Sequence, residues 1–114
     1  MRTLQYQFEA SQRPARRVHI GVVASGDLEI LLEPRDDEPD AGTFARVRVR
    51  TSVDGFDQVW QATLQRFFAR TPMLGRWELN DAGATPAIVT LRLQQAAQEA
   101  QAAETDATPT GDSA

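Results

Sequence analysis

The chain has no cysteine and no lysine, and it holds a single histidine, His19. Without cysteine there is no disulfide, no thiolate metal site and no thiol nucleophile. One histidine excludes a multi-histidine metal site. Long apolar runs are missing too, and nothing approaches the roughly 20 residues that span a bilayer. The start of the chain, MRTLQYQFEA, alternates polar with apolar residues and lacks the apolar segment of a secretory signal. The expected compartment is the cytoplasm. Together these absences weigh against a self-sufficient enzyme.

The 114 residues, 41% hydrophobic and 25% charged, suffice for one soluble domain around one core. The formal net charge of −4 is unevenly placed. Setting aside Glu104, Asp106 and Asp112 leaves 13 acids against 12 arginines, so the rest is nearly neutral. That balance gives no electrostatic basis for binding nucleic acid. From about residue 102 the composition turns to Ala, Thr, Asp, Gly and Ser. A folded domain over residues 1–101 followed by a disordered acidic tail, 102–114, is expected.

Hydrophobic periodicity divides the domain into elements. Leu4, Tyr6 and Phe8 alternate with polar residues, as do Val18, Ile20 and Val22, then Leu28, Ile30 and Leu32, then Val47 and Val49 between Arg46, Arg48 and Arg50. Each run predicts a strand. Residues 35–42, RDDEPDAG, predict a solvated loop. Phe56, Val59, Trp60, Thr63, Leu64, Phe67 and Phe68 follow helical spacing, with Asp54 as the expected N-cap. Trp77 and Leu79 suggest a short strand. Thr85 before Pro86 reads as N-cap and first helical position of a second helix, with Val89, Leu93, Ala96, Ala97 and Ala100 on one face. The expected fold is α+β: a mainly antiparallel sheet of four to five strands, the first ones paired through short loops, with two helices packed on one face.

Ser25-Gly26-Asp27 separates the second and third runs. A two-residue turn at Ser25 and Gly26 would set Val22 against Glu29, a core residue against a carboxylate. A three-residue loop sets Val22 against Ile30 and Ile20 against Leu32, so the apolar faces match. Gly26 supplies the positive φ such a loop needs. Ser25 then stands at the tip with an exposed hydroxyl. As pattern alone this is also ordinary turn chemistry.

GVVASGDLEILLEP, Gly21 to Pro34, resembles the attachment segment of malonate decarboxylase acyl carrier proteins. TSVDGF (Thr51 to Phe56), W-x-x-x-L-x-R-F-F (Trp60 to Phe68) and ND-x-GATP (Asn80 to Pro86) resemble the same family, in the family's order, over about residues 16–100. Departures from its commoner residues are expected at Ala24 and Ala82. The resemblance implies an acyl carrier subunit without catalysis of its own. Its cofactor would be 2'-(5''-phosphoribosyl)-3'-dephospho-CoA, carried on Ser25 through a phosphodiester, with Gly26 and Asp27 shaping the turn or its recognition. The implied partners are an acetyl-S-carrier:malonate carrier transferase subunit, carboxyltransferase-like decarboxylase subunits and a prosthetic-group transferase. The other reading is an interaction domain of a multisubunit enzyme that is never modified.

Remaining residues have plainer readings. Arg46, Arg48 and Arg50 form either a patch for phosphates or an acidic partner, or a solvated sheet face. His19 is read as a surface or cross-strand residue. Ser25 lacks the G-x-S-x-G elbow of a hydrolase.

Overall fold

The computed structural model describes residues 1–106. Five strands and two helices follow one another as β1 (Arg2–Glu9), β2 (Val18–Ile20), β3 (Leu28–Glu33), β4 (Phe44–Thr51), α1 (Asp57–Arg70), β5 (Gly75–Asp81) and α2 (Pro86–Asp106). The expected tail begins within the end of α2 and lies, from residue 107 on, outside the described residues.

The strands form one sheet in the order β1-β4-β5-β3-β2. β4 and β5 run parallel, and the other three pairings are antiparallel. A parallel pair needs a crossover, and α1 provides it. The α+β architecture is therefore as expected, but the expected pairing of the first strands is not. Of the first four strands, only β2 and β3 pair with a neighbour in the chain; β1 pairs β4, and β5 separates β3 from β4.

Alternation sorts the two faces. Leu28, Ile30, Leu32, Val47, Val49, Trp77 and Leu79 are buried beneath the helices, joined by Trp60, Leu64, Phe67 and Phe68 of α1 and by Val89, Leu93, Ala96, Ala97 and Ala100 of α2. Phe8, Phe68, Phe67 and Trp77 form a continuous aromatic cluster with centroid separations of 4.9–5.8 Å. Each such pair adds about 0.5–1.5 kcal/mol beyond area burial. Arg46, Arg48 and Arg50 lie on the open face. Arg48 pairs with Glu78 at 2.9 Å and Arg46 with Asp40 at 3.0 Å, so much of the stripe is neutralised within the chain.

Two local expectations fail. The segment 35–42 is not simply solvated: Arg35 is buried, donating to Glu38, Asp40 and the Phe44 carbonyl, and this ion cluster folds the loop back on itself. Asp54 does not cap α1. Gly55 takes φ +87°, which turns the chain so that the helix starts at Asp57, after Phe56, with no side-chain cap.

Candidate functional site

The connection between β2 and β3 is a seven-residue loop, Gly21 to Asp27, rather than three residues. Ile20 pairs Ile30 and Val18 pairs Leu32, so the expected register is displaced by two residues. Val22 and Val23 consequently leave the sheet and are exposed. The cause is visible at Gly21. Its φ is +78°, and a Cβ there would lie 2.0 Å from the Leu28 carbonyl oxygen. The backbone of the ascending chain presses against the descending one, and the loop is thrown outward.

The loop is nonetheless held. The Asp27 N–H donates to the Ala24 carbonyl at 2.8 Å, closing a turn with Ser25 and Gly26 at its centre. Gly26 has φ +80°, the conformation that a type II turn demands of its second central residue. Its N–H donates to the Ala82 carbonyl at 2.7 Å, and the Ala82 N–H returns to the Asp27 carbonyl at 3.0 Å. These two bonds continue the β3–β5 ladder, in which Leu28 faces Asp81. Ser25 is exposed at the tip, and the space beside Gly26 is open for 4 Å.

Asp27 anchors the base of the turn. Its carboxylate accepts two bonds from Arg92 of α2, Nε to Oδ1 at 2.9 Å and Nη2 to Oδ2 at 3.1 Å, and one from the Leu28 N–H at 2.7 Å. The Arg92 hydrogen bonds, then the Leu28 amide, hold the Asp27 carboxyl below the usual carboxylate range. Arg92 also donates through Nη1 to Gln95 at 2.9 Å, which orients the guanidinium. The sequence singles out Ser25, Gly26 and Asp27 but not Arg92, because nothing in a helix pattern reveals a partner 65 residues away.

Beside this loop the β5–α2 connection makes its own network. Asp81, nearly buried, accepts from Thr51 Oγ1 at 2.9 Å and from the Ala84 N–H at 2.9 Å. Thr51 Oγ1 in turn accepts from the Val53 N–H at 3.0 Å. The Ile88 N–H donates to Thr85 Oγ1 at 3.3 Å, so Thr85 does cap α2. Between the two helix N-termini lies an apolar groove of about 400 Å³, lined by Phe56, Val59, Trp60, Gly83, Ala84 and Val89 among others.

Ser25 is exposed to solvent at this turn. His19, the one histidine, is engaged at 2.8 Å with Glu29, which also accepts from Asn80 at 2.9 Å. Among the described residues no three His, Asp or Glu side chains cluster as a metal site, and no helix is long and apolar enough to cross a membrane.

Comparison with known proteins points one way. The family profile described as malonate decarboxylase delta subunit (MdcD) matches residues 15–100. A malonate decarboxylase acyl carrier protein of Stenotrophomonas maltophilia is 48% identical over 108 residues, covering 91% of this chain and 98% of the relative. One from Burkholderia cepacia is 47% identical over 100 residues, covering 84% and 87%. Among solved structures, a chain of a Pseudomonas malonate decarboxylase hetero-tetramer crystallised with malonate superposes with a TM-score of 0.78. It is 40% identical, and the match covers 87% of this chain and 98% of that one.

Proposed function

This chain belongs to the malonate decarboxylase delta subunit family, and from that premise we propose that it is the acyl carrier subunit of a malonate decarboxylase. In this reading it carries acetyl and malonyl thioesters on 2'-(5''-phosphoribosyl)-3'-dephospho-CoA, joined to Ser25 through a phosphodiester. Its partners are a transferase subunit that exchanges acetate for malonate, carboxyltransferase-like subunits that remove carbon dioxide, and the enzyme that installs the group.

One observation carries the choice of Ser25. Its hydroxyl is exposed on a turn whose neighbours are fixed, Gly26 by Ala82 and Asp27 by Arg92. A modifying enzyme must reach the oxygen without unfolding the chain, and a covalently attached group must have room. The open space beside Gly26 meets the second need. When bound, the group supplies the thiol that this chain lacks, and a thioester carbonyl accommodates carbanion character far better than a carboxylate does.

The chain's own contribution is presentation. A seven-residue loop free at both ends would sample many orientations, and each delivery to a partner would cost ordering entropy. The Asp27–Arg92 pair and the two bonds to Ala82 meet that cost at folding. Tethering then makes each encounter with a partner site effectively intramolecular, at an effective concentration often of order mM. Orientation at the reacting carbon and stabilisation of developing charge belong to the partner subunits.

Intact-mass measurement tests the reading. The chain purified from a host expressing the whole pathway is expected to gain the mass of the group, on the peptide containing Ser25. An unmodified chain that still supports malonate turnover in the complex would overturn it in favour of a plain interaction domain.

A further inference from the structure

α1 does not bury its whole apolar face. Trp60, Thr63, Leu64, Phe67 and Phe68 are covered, but Phe56 and Val59 remain 49% and 42% exposed. Both line the groove of about 400 Å³ that continues to Ala84, Pro86 and Val89. That volume lies within the ~300–1,000 Å³ usual for small-molecule sites. Leaving such a surface in water costs about 25 cal/mol per Å² of apolar area, so something apolar gains by occupying it.

The groove adjoins the Ser25 turn. Gly83, on its lining, approaches the turn so closely that an added Cβ would lie 4.0 Å from the Gly26 nitrogen. The neighbouring Ala82 is hydrogen-bonded to Gly26 and Asp27. Anything tethered at Ser25 is thus held beside the groove at high effective concentration, and a weak cradle suffices to hold it.

Charge decides which form fits. Among the described residues the one ionisable group on the lining is Asp81, whose oxygens are already engaged by Thr51 and Ala84. Among the described residues no cation lines the groove. A terminal carboxylate there would be desolvated without a partner and would face Asp81, whereas a methyl group would be favoured.

We propose that the groove between the α1 and α2 N-termini is a resting cradle for the acyl-thioester end of the group carried on Ser25, admitting the acetyl form and excluding the malonyl form. This rests on the carrier reading above. The cradle shields the acetyl thioester from water while leaving the malonyl form free for delivery. Shielding of this kind suppresses hydrolysis of a reactive acyl group.

The test uses the full chain, free of partners, in its unmodified, acetyl and malonyl forms, with Ser25 occupancy established by mass. Resonances of Phe56, Val59, Trp60 and Val89 are expected to shift in the acetyl form and to match the unmodified chain in the malonyl form. Hydroxylamine is expected to cleave the tethered acetyl thioester several-fold more slowly than acetyl-CoA. Val59→Asp, or Phe56→Asp should the first variant fold poorly, is expected to restore the free rate with Ser25 still loaded. A loaded chain whose groove resonances are the same in all three forms would overturn the cradle and leave the carrier reading intact. Groove shifts that arise only on adding partner subunits would overturn it too, assigning the groove to docking. Absence of any mass on Ser25 would remove both readings.

Discussion

Arg92 and Asp27, 65 residues apart, meet in a two-point pair with separations of 2.9 and 3.1 Å, and this contact ties the Ser25 loop to α2. The Asp27 carboxyl is held below the usual carboxylate range, chiefly by Arg92. A carboxyl depressed in the folded state contributes fully above its unfolded value, and the contribution disappears as pH falls through the folded value. The loop is therefore expected to stay anchored at neutral pH and to loosen only in acid. Arg92→Gln is expected to move the Asp27 titration, followed by carboxyl carbon NMR, up toward the usual range. Amide exchange at Gly26 and Asp27 should quicken while the sheet is unaffected, and loading of Ser25 should slow. An unchanged Asp27 titration in this variant would show that the pair does not govern the turn.

Ser25→Ala separates attachment from folding. Ser25 is exposed, so its loss is expected to change stability by no more than about 0.5 kcal/mol. The same change removes the oxygen proposed to carry the group. Denaturant melts should overlay the parent, the added mass should vanish, and the reconstituted complex should fall to background turnover. Retention of the mass would refute Ser25 as the attachment position.

The two glycines of the loop are expected to differ. Both have positive φ, but a Cβ on Gly21 would collide with the Leu28 carbonyl, while one on Gly26 meets nothing within 4 Å. Gly26→Ala is expected to cost only the backbone strain, about 1–2 kcal/mol. Gly21→Ala adds the forced separation of β2 from β3 and should cost distinctly more, with lost exchange protection at Val18 and Ile20. Equal melting points for the two variants would contradict the close approach.

Thr51→Val keeps the shape of a buried side chain but removes its hydroxyl. Asp81 Oδ2 loses its donor and the Val53 N–H its acceptor. A buried polar group left unpaired costs about 1–3 kcal/mol. Destabilisation of about 2 kcal/mol is expected, with resonance changes spreading to Ala84, since Asp81 also fixes that amide. A loss below about 0.5 kcal/mol, within the range of ordinary surface changes, would show that water replaces the hydroxyl.

Much of this protein is legible in its sequence because side-chain periodicity is local. Alternation at Leu28, Ile30 and Leu32 and helical spacing at Val89, Leu93 and Ala96 identify the element types, their order and their buried faces. Ser25 is legible as a turn residue because Ser-Gly-Asp is local turn chemistry. Register was not. Ile20 opposite Ile30 and Val22 opposite Ile30 differ by two residues, and a two-residue slip keeps every side chain on its own face, so the pattern is blind to it. The Gly21–Leu28 contact decided between them. Strand order likewise depends on which faces meet after the chain has crossed over, and β5 enters between β3 and β4 by a non-local pairing. Periodicity also reports that Phe56 and Val59 belong to an apolar face, not whether another element covers them. Only the tertiary packing left them open, in a groove whose Gly83 lies near Gly26, and brought Arg92 to Asp27, because both depend on distances between segments that are far apart in the chain.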